Sequence, residues 1–202
     1  MGKELLEKYT FTFNSDNIYE NIESYFKIHD KLETYEHTLE VAAELNVLNE
    51  KFEFDMEKCK LGVYLHDIGR VVDKEELVKF CEENNHQFTE GEKIVPSILH
   101  QSASRIIASN VFGISDVEVL EAIECHTTLR ANPTETDMIV FLSDKLSWNE
   151  DEHQNLILKM REALKESKEK AVYCYQEDLF NKRNLLKCYH KWSIESYEYF
   201  QR

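Results

Sequence analysis

The stretch Leu61-Gly-Val-Tyr-Leu-His-Asp-Ile-Gly-Arg70 reads as an apolar helix that ends on an adjacent imidazole and carboxylate, His66 and Asp67. Burying the two side by side where water is scarce is costly unless a metal ion or hydrogen-bond partners satisfy both. His-Asp pairs also arise by chance, and an Asp that merely caps a helix is the plain alternative. Four companions weigh against chance. His37 in Tyr35-Glu-His-Thr-Leu, His100 in Ile98-Leu-His-Gln, His126 in Cys125-His-Thr-Thr and Asp144 in Ser143-Asp-Lys each follow or interrupt apolar residues at helical spacing. Each ligand-type side chain is therefore expected to point inward from a helix of its own.

Composition supports the same reading. At 202 residues and 42% apolar content the chain can form one sizeable core, so a single domain spanning 1–202 is expected. Only two prolines and five glycines occur. With Leu, Glu and Lys frequent and no long alternating run, this is the composition of helices packed on helices, an all-α bundle. Residues 1–16 form an ambiguous lead-in, with Tyr9-Thr-Phe-Thr-Phe the one strand-like stretch. Helices are expected over 17–29, 31–48 and from a cap at Asp55 to His66-Asp67, where Gly69 lets the chain turn. A short helix from Asp73, one opened by Pro96 and closing at Gly113, and one begun by a Ser115/Glu118 capping box follow. Thr134-Glu-Thr-Asp introduces the Asp144 helix, and 150–202 is read as a helical extension of two or three amphipathic segments.

The net charge of −15 argues against general affinity for nucleic acid or anionic lipid. Five scattered cysteines, with no Cys-x-x-Cys pair, read as reduced thiols of a cytoplasmic protein, and no apolar run approaches the length needed to cross a bilayer. Imidazoles and carboxylates without a thiolate favour iron, manganese, zinc, cobalt or nickel.

The motif order His37, His66-Asp67, His100, His126, Asp144 resembles the HD superfamily of metal-dependent phosphohydrolases. The phrases Tyr35-Glu-His-Thr, Leu65-His-Asp-Ile, Leu99-His, His126-Thr-Thr and Ser143-Asp-Lys are similar to its YqeK-like branch, associated with NAD metabolism and with symmetrical bis(5′-nucleosyl)-tetraphosphatase activity. The motif-bearing part is about 30–150. The resemblance implies an HD-type helical bundle that holds one or two divalent ions, with iron favoured. His37, His66, Asp67 and Asp144 would surround one ion, and Asp67, His100 and His126 a second. Asp67 would also orient the attacking water, while Arg70 and Lys145 would contact phosphate. The implied substrate is a nucleotide or dinucleoside polyphosphate, foremost diadenosine tetraphosphate cleaved to two ADP; the oligomeric state stays open, with a homodimer one of the alternatives.

Departures from the branch pattern stand beside these matches. Thr34 occupies a usual Arg position, Arg70 a usual Lys, Leu129 a usual Gly, and Leu146-Ser-Trp-Asn replaces an Ile-Glu-Pro-x-Arg segment. A mononucleotide phosphatase and a non-catalytic nucleotide sensor of the same fold therefore stay open as alternatives. So do local ones: His100 and His126 as satisfied core histidines, and Arg70 and Lys145 as solvated surface charges. Arg105 and Arg130 are further cationic candidates, and Glu36 rather than Glu124 is expected to orient a motif imidazole. His29, His86, His153 and His190 are expected to be exposed, and the Tyr173, Tyr175, Tyr189, Tyr197, Tyr199, Trp192, Phe200 series to be core.

Overall fold

The computed structural model describes residues 4–201, and the first three residues of the 1–16 lead-in lie outside them. Among the described residues there are helices and no strand. In chain order they are α1 (Glu4–Lys8), α2 (Ile18–Ile28), α3 (Leu32–Asn49), α4 (Met56–Leu65), α5 (Leu77–Glu83), α6 (Glu90–Ile94), α7 (His100–Asn110) and α8 (Val117–Cys125). Beyond them come α9 (Glu135–Leu146), α10 (Gln154–Ala163), α11 (Lys168–Asn181) and α12 (Lys191–Phe200), with short 3-10 turns at Ile68–Val71 and Pro96–Leu99 among the links.

Two apolar cores divide the interior, and α4 and α8 feed both. α4 gives Cys59 and Val63 to a core built with α3, α9, α10 and α11, and gives Leu65 to a second core built with α2, α5 and α7. α8 splits the same way, with Ala122 and Cys125 on one side and Leu120 and Ile123 on the other. A helix packed on two faces cannot slide without opening two sets of close contacts. The carboxyl ends of α4 and α8, where His66 and His126 sit, are thereby fixed.

Local signals start most helices where the sequence places them. Asp55 Oδ1 accepts the Lys58 amide at 3.1 Å, and Thr134 with Asp137 forms a reciprocal capping box for α9. Three expectations are corrected. α8 is capped by Asp116, not Ser115, and Glu118 is left to bind Lys58 at 2.6 Å and Thr136 at 2.7 Å. The helix expected from Asp73 begins at Leu77, since the Asp73 carboxylate is taken by Lys8 at 2.9 Å. Gly69 does not serve a left-handed turn: a Cβ there would lie 2.4 Å from the Ser104 nitrogen and 2.5 Å from the His100 carbonyl oxygen. Glycine is needed because the chain after His66-Asp67 presses backbone to backbone on α7. The strand-like segment 9–13 is an extended strap whose Phe11 and Phe13 pack on Phe112.

The four histidines expected at the surface are not exposed. His29 packs against Tyr9 and Tyr25, His86 reaches Glu92 at 3.2 Å, and His153 lies on Trp148. His190 is buried, with Nε2 3.0 Å from the Thr89 hydroxyl, and caps α12.

The extension supplies three helices and braces the loop after His126. The Thr128 carbonyl accepts Ser193 Oγ at 2.9 Å and Gln176 Nε2 at 3.4 Å. Leu129, next in sequence, has φ +51° and is fully buried. A left-handed leucine costs about 1–2 kcal/mol, yet deleting a buried leucine side chain costs about 2–5 kcal/mol. Leu129→Gly is therefore expected to destabilise the protein by about 1–3 kcal/mol despite relieving the backbone. Denaturant unfolding checks this, and an unchanged or higher midpoint would contradict it.

Candidate metal centre

Three imidazoles in this structure are held by one device. His66 Nδ1 lies 2.6 Å from the Val63 carbonyl, His100 Nδ1 2.6 Å from that of Ser97, and His126 Nδ1 2.8 Å from that of Ile123. In each case the acceptor is three residues back, in the turn that delivers the histidine. A carbonyl can only accept, so the ring proton resides on Nδ1 and Nε2 keeps an unprotonated lone pair, which at His100 faces the Thr127 hydroxyl at 3.1 Å.

Those lone pairs converge. His100 Nε2 and His126 Nε2 are 3.1 Å apart, and both face Asp67 Oδ1, at 3.3 and 3.4 Å. His66 Nε2 lies 3.7 Å from Asp67 Oδ2 and 3.9 Å from Asp144 Oδ1, and His37 Nε2 lies 3.3 Å from Asp144 Oδ1. The 3.1 Å approach is not a hydrogen bond, because neither nitrogen carries a proton. His66 Nε2 and Asp67 Oδ1 are buried with no hydrogen-bond partner at all. Orphaned acceptors facing one another at these depths repel unless a cation lies between them, so the residues present fit a metal. The ligand atoms fall into two compact groups that share Asp67, namely His37-His66-Asp67 and Asp67-His100-His126.

Asp144 touches the first group from the side. Its Oδ2 is held by Lys145 Nζ at 2.6 Å, so Oδ1 is the oxygen left facing His37 and His66. Lys145 is buried, with Nζ 4.8 Å from the Trp148 ring centre and 5.8 Å from that of Tyr175. Arg70 is half-exposed over the centre, with Nε 2.6 Å from Asp67 Oδ2 and Nη2 3.4 Å from His100 Nε2.

Charge follows from these contacts. Burial pushes His66 down to about 4 and His100 down to about 3, while its bond to Asp144 raises His37. Burial works against ionisation of Asp67, but the groups around it, with the Arg70 guanidinium at 2.6 Å the permanently charged one, hold its carboxyl well below the usual range. At neutral pH His66 and His100 are uncharged, which leaves Arg70 as the standing positive neighbour. Burial likewise opposes charge on Asp144, and Lys145 with His37 overcomes it.

Every residue expected at the site is here: His37, His66, Asp67, Arg70, His100, His126, Asp144 and Lys145 line or underlie one cavity of about 480 Å³. Other expectations are corrected. Arg105 is bound to Glu124 at 2.6 Å and Arg130 to Glu121 and Asp137, and neither lines the cavity. Glu36 is exposed, and the carboxylate near His37 Nδ1 is that of Glu40, at 3.9 Å. Helical spacing distinguishes them: position 40 lies one turn beyond 37 on the same face, whereas 36 lies beside it. Tyr175, read from sequence as core, faces the cavity together with Trp148.

An unfolded histidine titrates near 6.5, so between that pH and the depressed folded values the unfolded chain binds more protons and stability falls on acidification. His37 acts oppositely: its raised pKa adds stability below about 6.5 that is lost as pH rises through the folded value. For the metal-free protein, His66→Gln is expected to flatten the decline in Tm between pH about 6.5 and 4. An equally steep decline in the variant would contradict the buried neutral imidazole.

The HD domain family matches residues 34–149, from one turn before His37 to just beyond Asp144. An uncharacterised protein of Lactococcus lactis subsp. cremoris is 36% identical over 65% of this chain and 67% of its own length. A symmetrical bis(5′-nucleosyl)-tetraphosphatase of Staphylococcus aureus is 34% identical over 54% of this chain and 56% of its own length. The matched segment thus spans about half to two thirds of these curated relatives. A crystal structure described as a predicted HD superfamily hydrolase involved in NAD metabolism from Clostridium acetobutylicum superposes with TM-score 0.80 at 24% identity, covering 95% of this chain and 98% of that one. The likeness of fold extends through the carboxy-terminal helices. With the family match running over more than half of the sequence and through all six candidate ligands, the chain belongs to the HD domain family.

Proposed function

We propose that this protein is a metal-dependent nucleotide phosphohydrolase, and that its preferred substrate is a dinucleoside tetraphosphate split symmetrically into two nucleoside diphosphates. The observation that carries the reading is the convergence of unprotonated Nε2 atoms from three helix ends on the buried Asp67 carboxylate, with His100 and His126 facing its partnerless Oδ1 and His66 facing Oδ2. The name of the Staphylococcus aureus relative supports the substrate.

In this reading His37, His66, Asp67 and Asp144 hold one divalent ion, and Asp67, His100 and His126 hold a second. Iron is the proposed metal, with manganese, zinc, cobalt or nickel as substitutes the same ligands accept. When bound, the ions supply a nucleophile from water at neutral pH and stabilise charge on the attacking and leaving oxygens. The chain's own groups do the rest. Arg70 keeps Nε on Asp67 and lines the cavity, where its half-exposed guanidinium would receive a phosphate oxygen. Lys145 positions Asp144, and the Trp148 and Tyr175 rings offer a face for a base. Water adds to one inner phosphorus, the bond from that phosphorus to the central bridging oxygen breaks, and the second nucleoside diphosphate leaves with that oxygen. Two protons are released to solvent at neutral pH. All 202 residues are read as one domain, since α11 and α12 brace the loop after His126.

Asp67→Ala is expected to lose metal and hydrolysis together with helix content retained, because no neighbouring carboxylate reaches both ligand groups. Elemental analysis and circular dichroism check this, and full metal occupancy with normal turnover would reject the site. His100→Ala or His126→Ala should lower metal content from two ions to one. Products should be ADP alone from diadenosine tetraphosphate, and release of AMP and ATP would overturn the symmetrical reading. Thr34 lines the cavity one turn before His37, so Thr34→Arg is expected to raise kcat/KM for the tetraphosphate several-fold, about the worth of one added ion contact.

A further inference from the structure

The metal centre does not border one cavity alone. A second, of about 400 Å³, lies against it, and Thr34, Arg70 and His100 line both. These three residues form the partition between two lobes of comparable size, and the centre, which opens on the first, borders the second at His100. A ligand with one nucleoside needs one lobe. A ligand with nucleosides at both ends and the scissile phosphates in the middle needs two.

The lobes differ in charge. Around the first, Glu33, Glu40 and Glu150 join Asp67 and Asp144, against Arg70 and Lys145, so it is anionic until metal binds. The second carries Lys31 and Lys74 beside Arg70. Neither lysine forms an ion pair among the described residues, whereas of the two acidic residues there, Asp73 is engaged by Lys8 at 2.9 Å. Glu75 stands against the two lysines and Arg70 is bound to Asp67, so the pocket keeps a small positive excess in a chain of net charge −15. Its floor includes the buried Leu77, an apolar surface beside the charges. Lys31 precedes α3 with no capping bond, and Lys74 lies exposed in the turn before α5, so both ammonium groups can swing over the pocket.

We infer that this second cavity is the subsite for the departing half of a dinucleoside polyphosphate: Arg70 and His100 mark the crossing point, and Lys31 and Lys74 receive the phosphates of the nucleoside diphosphate that leaves. The inference rests on the proposed hydrolase activity for its substrate, but the pocket's charge is the chain's own and needs no metal. The two lobes therefore bind a nucleoside diphosphate by different means, one through the metal centre and one through lysine.

Calorimetric titration with ADP separates them. Chelated, metal-free protein is expected to bind one equivalent of ADP, and metal-loaded protein two. Lys31→Glu/Lys74→Glu should weaken the metal-independent site at least about tenfold, as reversal of two partly exposed phosphate contacts requires. The same pair of substitutions should lower kcat/KM for diadenosine tetraphosphate relative to that for ATP by a similar factor. An absence of ADP binding to the metal-free protein, or equal binding by parent and variant, would overturn the subsite even if the parent hydrolyses the tetraphosphate. Metal-free ADP binding that depends on these lysines, in a protein that hydrolyses no nucleotide, would instead fault the activity and leave the pocket standing as a nucleotide site.

Discussion

The commitment of each histidine proton to a carbonyl of its own helix end is the constraint from which the rest of this site follows. An imidazole has one proton to give when neutral, and here His66, His100 and His126 give it to the backbone three residues back. The tautomer, the ring plane and the direction of the remaining lone pair are then fixed together, without help from a second side chain. At His66 and His100 burial completes the effect by making protonation costly, so these two nitrogens stay available as ligands at neutral pH. Such a cluster is poor as a core and good as a chelate.

Holding repelling acceptors together requires a stiff frame. α4 and α8 supply it by packing on two cores at once, and Gly69 lets the turn after Asp67 lie against the backbone of α7. The 3.1 Å approach of His100 to His126 is thus imposed by helix packing rather than by any attraction between the rings. Lys145 and Arg70 neutralise one carboxylate each, at 2.6 Å, so the two aspartates and two cations balance before any ion enters. A divalent ion held there would add two positive charges in a cavity where screening is weak.

Most of the fold and the candidate cluster of ligand-type residues was legible in the sequence because both depend on local rules. Apolar residues at helical spacing put each ligand-type residue at a helix face or end, and Asp55 and Thr134 mark helix starts through their side-chain oxygens. What was not legible depends on which helices become neighbours. Nothing local to Arg105 or Arg130 shows that Glu124 and Glu121 lie within reach, and His190 looks solvated until Thr89 is brought against it from a hundred residues away. Tyr175 follows the same logic: its apolar ring fits core packing, and only the approach of α11 to α9 shows that its edge borders the cavity. The Asp116 cap was missed for a different reason. Ser115 and Asp116 are both good caps, and the register is settled by Glu118 being drawn to Lys58 and Thr136 instead of folding back on its own helix.

Position 129 shows how a frame can tolerate a locally unfavourable residue. A left-handed φ favours glycine, yet the leucine side chain there fills the core formed with α9 and α11, and Thr128 beside it is tied to α11 and α12 through its carbonyl. Strain at one residue is outweighed by burial of that same residue, and the turn it shapes is the one that ends the helix carrying His126. The carboxy-terminal helices, remote in sequence from all six candidate ligands, therefore act on the centre through the backbone that follows His126.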